Sequence, residues 1–209
     1  MKERPILFSA PMVNAILEGR KTMTRRVVKT KLNLLRTITN DEFRDASPYP
    51  LAADTGNLTH YFMIENGPIG IPCPKGKPGD KLWVRESFVA FDENTPENTG
   101  EVFYRADKDY DWIWKPSIFM PRKYSRITLE ITDVRVERLQ KISGKDCIAE
   151  GIPKRRKLSD GTPLEGDIWR EAKDEFKALW ESINGAGSWE ANPWVWVISF
   201  KRVENVSKA

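Results

Sequence analysis

The period of the apolar positions changes several times along this chain, and each change marks an element. "RPILFS" (Arg4 to Ser9) is short, apolar and strand-like. Pro11 then opens a helical turn, and Met12, Val13, Ile16 and Leu17 recur at helical spacing. Gly19 is a natural stop for that helix. "DASPYPLAADTGN" is rich in Pro, Asp and Gly and predicts loop, whereas "LTHYFMIE" (Leu58 to Glu65) has β-type composition. "GPIGIPCPKGKPGD" is turn-dense and predicts a strand fragment with a long loop. "KLWVRESFVAF" (Lys81 to Phe91) predicts a strong strand, with Leu82, Val84 and Glu86 on one face and Trp83, Arg85 and Ser87 on the other. Glu101 to Arg105 is its candidate hairpin partner. "YDWIWKPSIF" sets Tyr110, Trp112 and Trp114 on one strand face beside Lys108 and Lys115.

In "SRITLEITDVRVERL", Ile127, Leu129 and Ile131 share a face, but the apolar frame then shifts to Val134 and Val136. A strand cannot switch face without a bulge or turn, which predicts one near Thr132 and Asp133. "ISGKDCIAEGI" carries a helix start: Ser143 as N-cap, Asp146 three residues on, and Ile142 with Cys147 as a hydrophobic staple. Gly151 ends that short helix. A longer helix is predicted from about Ile168 to Ile183, with Phe176, Leu179, Trp180 and Ile183 as its apolar stripe. "WVWVISFKRV" closes the chain as a strand with Trp194, Trp196, Ile198 and Phe200 on one face. Strands dominate, with few helices and no regular β–α alternation. The expected fold is a small α+β barrel rather than a doubly wound sheet.

Composition narrows the setting. The 209 residues suit a single domain, and 40% are hydrophobic, enough for a sizeable core. No apolar run approaches the roughly 20 residues of a membrane span, and the N-terminal residues lack a signal-peptide core. Cys73 and Cys147 stand far apart, so a cytoplasmic setting is expected and a cysteine metal site is not. His60 is the one histidine, which argues against a histidine-rich metal centre; no metal and no cofactor are expected. The net charge of +4 permits an anionic partner without demanding one.

Residues 19 to 26 read GRKTMTRR. Lys21 and Thr24 are three apart, so on a strand they face opposite ways and on a helix they are neighbours. Gly19 ends the helix before them, so a turn over residues 20 to 24 is needed to bring both to one site. Arg20, Arg25 and Arg26 flank the pair, and a solvated basic turn is the competing reading. Glu150 ends a short helix, where an acid meets the negative end of the helix dipole. A cationic partner such as Lys21 explains that placement; an exposed glutamate is the alternative.

"ILEGRKTMTRR", "KPGDKLWVRE" and "LQKISGKDCIAEGI" resemble the three signature segments of the ASCH family, within the PUA-like superfamily. "KPSIFMPRKYSRITLEITDVRVERL" and "LWESINGAGSWEANPWVWVISF" are similar to longer ASCH-like proteins of phages and prophages. One departure is Phe119, where the phage relatives tend to carry histidine. The resemblance implies one PUA-like β-barrel domain over residues 1–209, with short helices at the barrel openings and loop insertions at about 31–57 and 153–166. Small bacterial members hydrolyse the acetamide of N4-acetylcytidine with a lysine, a threonine and a glutamate. By motif position these are Lys21, Thr24 and Glu150.

Amide hydrolysis needs a nucleophile, an acceptor for its proton and an acid for the leaving amine. Thr24 can attack if Lys21 is neutral, which requires burial to lower the lysine pKa; Glu150 opposes that change. The pair can instead rest as an ion pair with Glu150 activating water, or protonated Lys21 can stabilise the oxyanion. Arg20, Arg25, Arg26, Arg85 and Glu86 are candidate substrate-binding residues. Glu86 stands on an apolar strand face, so an arginine partner inside the fold is its structural alternative. Trp112 and Trp114 with Arg155 and Arg156 are candidate contacts to nucleic acid. Trp180, Trp189, Trp194 and Trp196 are expected in the core or a cleft wall. The expected partner is a nucleoside or RNA carrying a modified cytidine, and the expected activity is that of an amidohydrolase. The alternative is a non-catalytic module that binds RNA or a modified base. An RNA-cleaving role has the least support, since His60 lies outside the matched motifs.

Overall fold

The computed structural model describes residues 1–30, 36–38, 59–64, 67–91, 99–107, 111–153 and 168–203. β1 (Glu3–Leu7) leads into α1 (Ala10–Leu17) and β2 (Met23–Val27). β3 (Arg36–Ile38), β4 (Thr59–Ile64) and β5 (Gly67–Pro72) follow, then β6 (Lys81–Arg85), β7 (Phe88–Phe91) and β8 (Glu101–Tyr104). The long β9 (Thr128–Arg138) precedes α2 (Gly144–Ala149) and α3 (Ile168–Asn184), and β10 (Trp194–Val203) ends the described chain. The architecture is mixed α+β, mostly sheet, with few helices. Among the described residues no helix is long and apolar enough to cross a membrane.

The main sheet has five strands in the order β1–β6–β9–β10–β2. β1 and β6 run parallel and the other neighbours antiparallel. β10 is its spine because both of its faces are apolar. Trp196, Ile198 and Phe200 enter one buried cluster with Ile6, Leu82, Leu129 and Phe62. Val195 and Val197 enter a second cluster with Phe176 and Trp180 of α3 and Cys147 of α2. Each fully buried large apolar side chain contributes about 1.5–3 kcal/mol, so a strand apolar on both faces settles inside the sheet, here between β9 and β2. β3, β4 and β5 form a separate three-stranded sheet, whose Phe62 and Ile69 pack on the first cluster.

The frame shift in β9 is a bulge. Asp133 pairs with Ser199 and Ile131 with Phe200, leaving Thr132 as the extra residue. The "KPGD" turn is structural: the Asp80 carboxylate accepts from the Lys2 amide at 2.8 Å and from Arg4 at 2.9 Å, joining β1 to β6 at their starts.

The two edge strands of the main sheet come back toward each other. Arg26 on β2 donates from Nη2 to the Leu7 carbonyl on β1 at 2.9 Å. The sheet is therefore rolled, but among the described residues no strand ladder joins β1 to β2 and no closed barrel forms.

Three expectations need correction. The stretch from Lys81 to Phe91 is two strands rather than one, because the chain leaves the main sheet at Glu86 and Ser87 to form the hairpin β7–β8. Trp112 and Trp114 do not sit on a strand; beyond a single bridge from Lys115 to Phe88, that segment is irregular. The Trp112 ring packs edge-on against Phe91 and Phe103, which holds the segment by side chains instead of a ladder. Ile183 is 54% exposed rather than part of the buried stripe. The stretch 39–58, most of residues 31–57, and Tyr110, Arg155 and Arg156 lie outside the described residues.

Candidate active site

α1 stops at Leu17, and Gly19 takes the left-handed conformation with φ +75°. That turn lets the chain double back, so the Lys21 amide donates to the Ala15 carbonyl and the Thr22 amide to the Ala149 carbonyl of α2. Lys21 thereby lies beneath the end of α2, and Thr24 enters β2 beside it. The opposite end of α2 is fixed by Ser143, whose hydroxyl accepts from the Asp146 amide at 3.1 Å. Gly151, at φ +101°, ends the element and leaves Glu150 as its C-cap.

These constraints bury Lys21 and Glu150 together. Lys21 Nζ donates to Glu150 Oε2 at 2.9 Å, to the Glu150 carbonyl at 2.7 Å and to the Met23 carbonyl at 2.8 Å. All three ammonium hydrogens are thus placed on oxygen. The Lys21 side chain has no exposed surface. Burial holds its pKa below the ordinary lysine value: desolvation outweighs the attraction of Glu150, and Arg26 and Arg25 add repulsion. The contact has the geometry of an ion pair, and it explains why an acid is tolerated at the negative end of α2.

Glu150 has a second cation. Arg25 Nη1 donates to Glu150 Oε1 at 3.2 Å, while Nη2 donates to Glu137 Oε1 at 2.5 Å and to Asp146 Oδ2 at 2.8 Å. Sheet register makes this possible. Arg25 and Arg135 flank Val197 across three adjacent strands, and Glu137 flanks Val195 in the neighbouring row. The short valines leave room above them for the charges to meet. Asp146 and Glu150 are four residues apart, on one face of α2, and both reach Arg25. Asp146 therefore does not close a reciprocal capping box; its carboxylate goes to Arg25 and Arg135.

A cavity of about 830 Å³ opens along the free edge of β2, a size common for small-molecule sites. Thr24, Arg25, Arg26 and Glu150 line its polar part. Phe176, Leu179, Trp180 and Ile183 of α3, with Trp196 and Pro72, supply apolar wall, and Lys29 and Lys75 add cations. The exposed Ile183 has its place here, as part of the wall. Among the described residues the Thr24 hydroxyl makes no hydrogen bond to Lys21, to Glu150 or to any other group, although the residue is only 2% exposed.

The remaining candidates divide. Arg20 donates to Glu18 and to the Gly151 carbonyl, tying the end of α1 to the end of α2 outside the cavity lining. Arg85 lies over Trp83 and donates to the Ile118 carbonyl, also outside the lining. Glu86 takes a two-pronged contact from Arg126, at 2.9 Å on each oxygen, under the β7–β8 hairpin. His60 is held by the Val134 carbonyl at 3.1 Å with its ring against Trp196, and it does not line the cavity. Trp112 packs on the hairpin and Trp114 packs on Trp112.

Sequence reasoning missed Glu137, Asp146 and Lys75 as parts of the site. The i, i+4 spacing of Asp146 and Glu150 was a usable signal; Glu137 and Lys75 depend on register and on a turn between strands.

No family model matches this chain, and no curated protein matches it. Among solved structures it is similar to an ASCH domain from Lactobacillus crispatus JV V101. The alignment has 14% identity, covers 96% of this chain and 79% of that one, and gives a TM-score of 0.34.

Proposed function

We propose that this protein hydrolyses an acylated nucleoside or base, an N4-acetylcytidine-type amide, with Lys21, Thr24 and Glu150 as its working residues. We read the rolled five-stranded sheet as the open barrel that the ASCH resemblance implies, with the cavity at the gap between β1 and β2. The observation that carries the reading is a buried carboxylate, Glu150, lining a cavity beside an unpartnered hydroxyl, Thr24, while two cations hold it from behind.

The chemistry follows from what each group has left to give. Lys21 has placed its three hydrogens, so it is a poor oxyanion donor in this arrangement. Glu150 is the proton acceptor. It takes a proton from a water in the cavity, and the resulting hydroxide adds to the acyl carbon. The Thr24 hydroxyl donates to the carbonyl oxygen as that oxygen gains charge. The C–N bond then breaks, and the departing nitrogen receives the proton that Glu150 carries. The products are the free amine and a carboxylic acid. Lys21 and Arg25 fix the carboxylate, and the apolar wall from α3 holds the flat base.

Incubation of the purified chain with N4-acetylcytidine tests this. Cytidine and acetate are the expected products. No cytidine, under conditions where a small bacterial N4-acetylcytidine amidohydrolase releases it, contradicts the reading.

A second reading is favoured by one observation. An ammonium with every donor placed is also what a purely structural ion pair looks like. On that reading the cavity binds a modified base in RNA without catalysis. It expects salt-dependent RNA binding and no product.

A further inference from the structure

The cavity holds cations that the amide chemistry does not use. Arg26 Nη2 donates to the Leu7 carbonyl at 2.9 Å, and Lys75 Nζ donates to the Pro5 carbonyl at 3.1 Å. Both acceptors belong to the open edge of β1. Alternate carbonyls of a strand point the same way, and two residues span roughly 7 Å. The open edge thus pins two cationic head groups side by side, and both line the cavity. Among the described residues neither Arg26 nor Lys75 forms an ion pair with a carboxylate. Lys29, exposed and also in the lining, has none either.

This differs from Lys21 and Arg25, which carboxylates neutralise on the same strand and its approach. A guanidinium has five N–H groups and an ammonium three. One bond each leaves further donors on Arg26 and Lys75. Holding unpaired like charges in a partly buried wall is unfavourable. Burial, and then the charge of Arg26, depress the pKa of Lys75, and burial depresses that of Arg26 against the opposing pull of Glu150. A bound anion relieves both costs. Head groups anchored on neighbouring carbonyls of one strand edge, with the charge of Arg26 felt at Lys75, can be bridged by one tetrahedral oxyanion that gives each an oxygen at hydrogen-bond distance.

We infer that the substrate carries a phosphate monoester, seated between Arg26 and Lys75 with Lys29 at the rim, so that the cavity takes a nucleotide in preference to a nucleoside. The inference rests on the nucleoside reading of the cavity, and it is tested by binding rather than turnover so that the two can fail separately. Titration calorimetry of the full chain compares cytidine, cytidine 5′-monophosphate, inorganic phosphate and a short oligocytidine. The monophosphate is expected to bind at least about tenfold tighter than cytidine, the low end of what charge-assisted contacts contribute. That margin should narrow with added salt. Inorganic phosphate is expected to compete with it. Lys75→Met should remove the margin and Lys75→Arg should keep most of it. Lys29→Ala, at an exposed position, should reduce the ratio of the two affinities, and it serves if Lys75→Met does not fold.

These results support the inference whether or not N4-acetylcytidine is hydrolysed. Equal affinity for cytidine and its monophosphate overturns it even if hydrolysis is observed. So does a failure of the monophosphate to bind, or phosphate binding that Lys75→Met leaves intact. An oligocytidine without terminal phosphate that binds as tightly as the monophosphate also overturns it, and assigns the cations to a nucleic-acid backbone.

Discussion

Lys21 and Glu150 owe their positions to each other, and their substitutions should not be equivalent. Glu150→Gln leaves the buried ammonium with carbonyl oxygens only, whereas Lys21→Met leaves Glu150 still held by Arg25. Removing one member of a buried pair costs about 3–5 kcal/mol. Urea unfolding should place Glu150→Gln in that range and Lys21→Met below it; the reverse order would contradict the network described.

The lowered pKa of Lys21 sets a pH dependence at the same scale. The folded chain releases this proton at lower pH than the unfolded chain, whose lysines titrate near 10.4. Between the two values the unfolded state binds more protons, so stability rises with pH there. Relative to Lys21→Met, the native protein should therefore gain stability as pH rises through this window. Activity should fall across it, because the neutral amine no longer clamps Glu150. A rate that climbs through the same window would instead make neutral Lys21 the base. Much of this site was legible from residue order: Gly19 as the stop, Lys21 and Thr24 after it, and an acid at a helix end that demanded a cation. The partners of Arg25 were not, because they meet through strand register.

At the scale of elements, α2 carries Glu150 of the candidate site at its C-cap, and it is only six residues long. Its own hydrogen bonds hold it weakly, so its caps matter. Ser143→Ala should cost about 1 kcal/mol and loosen Glu150, which thermal melts together with the activity of the variant would register. Gly151 is tighter still. A Cβ there would lie 3.1 Å from the Ala15 Cβ and 3.4 Å from the Lys21 Cβ, on backbone at φ +101°. Gly151→Ala should therefore destabilise by more than about 1 kcal/mol; a neutral effect would mean that this approach is not constrained. The capping serine, the bulge at Thr132 and the closing strand were visible as local patterns. The break at Glu86 was not, since alternation continues through it and only Arg126, forty residues away, reveals why the chain turns. Trp112 and Trp114 misled for a related reason. Aromatic alternation reads as strand, but here the Trp112 ring packs on a neighbouring hairpin, and Trp114 on Trp112, without a ladder.

For the whole molecule, the rolled sheet decides where the candidate site lies. Its interior is filled by the first apolar cluster, to which α1 adds Val13 and Ile16, and its outer face is covered by α2 and α3, so the open ground lies between the two unpaired edges. The sequence showed strands and their faces but not which edges would meet, because edge approach depends on accumulated twist. Both thiols lie inside this packing. Cys73 and Cys147 are buried, and burial pushes the Cys147 thiol up to about 12. Neither should react with a thiol reagent near neutral pH until the chain unfolds; rapid labelling of Cys147 in the native protein would contradict the packing of α2 on α3.

The most direct single measurement is kcat/KM for N4-acetylcytidine hydrolysis, native protein against Glu150→Gln, with folding of the variant verified. Native protein should release cytidine, and the variant should lose about 10²–10⁴-fold, the usual contribution of a positioned acid–base group. A folded Glu150→Gln variant as active as the native protein, or a native protein that releases no cytidine, would contradict the assignment of Glu150 as the residue that does the chemistry.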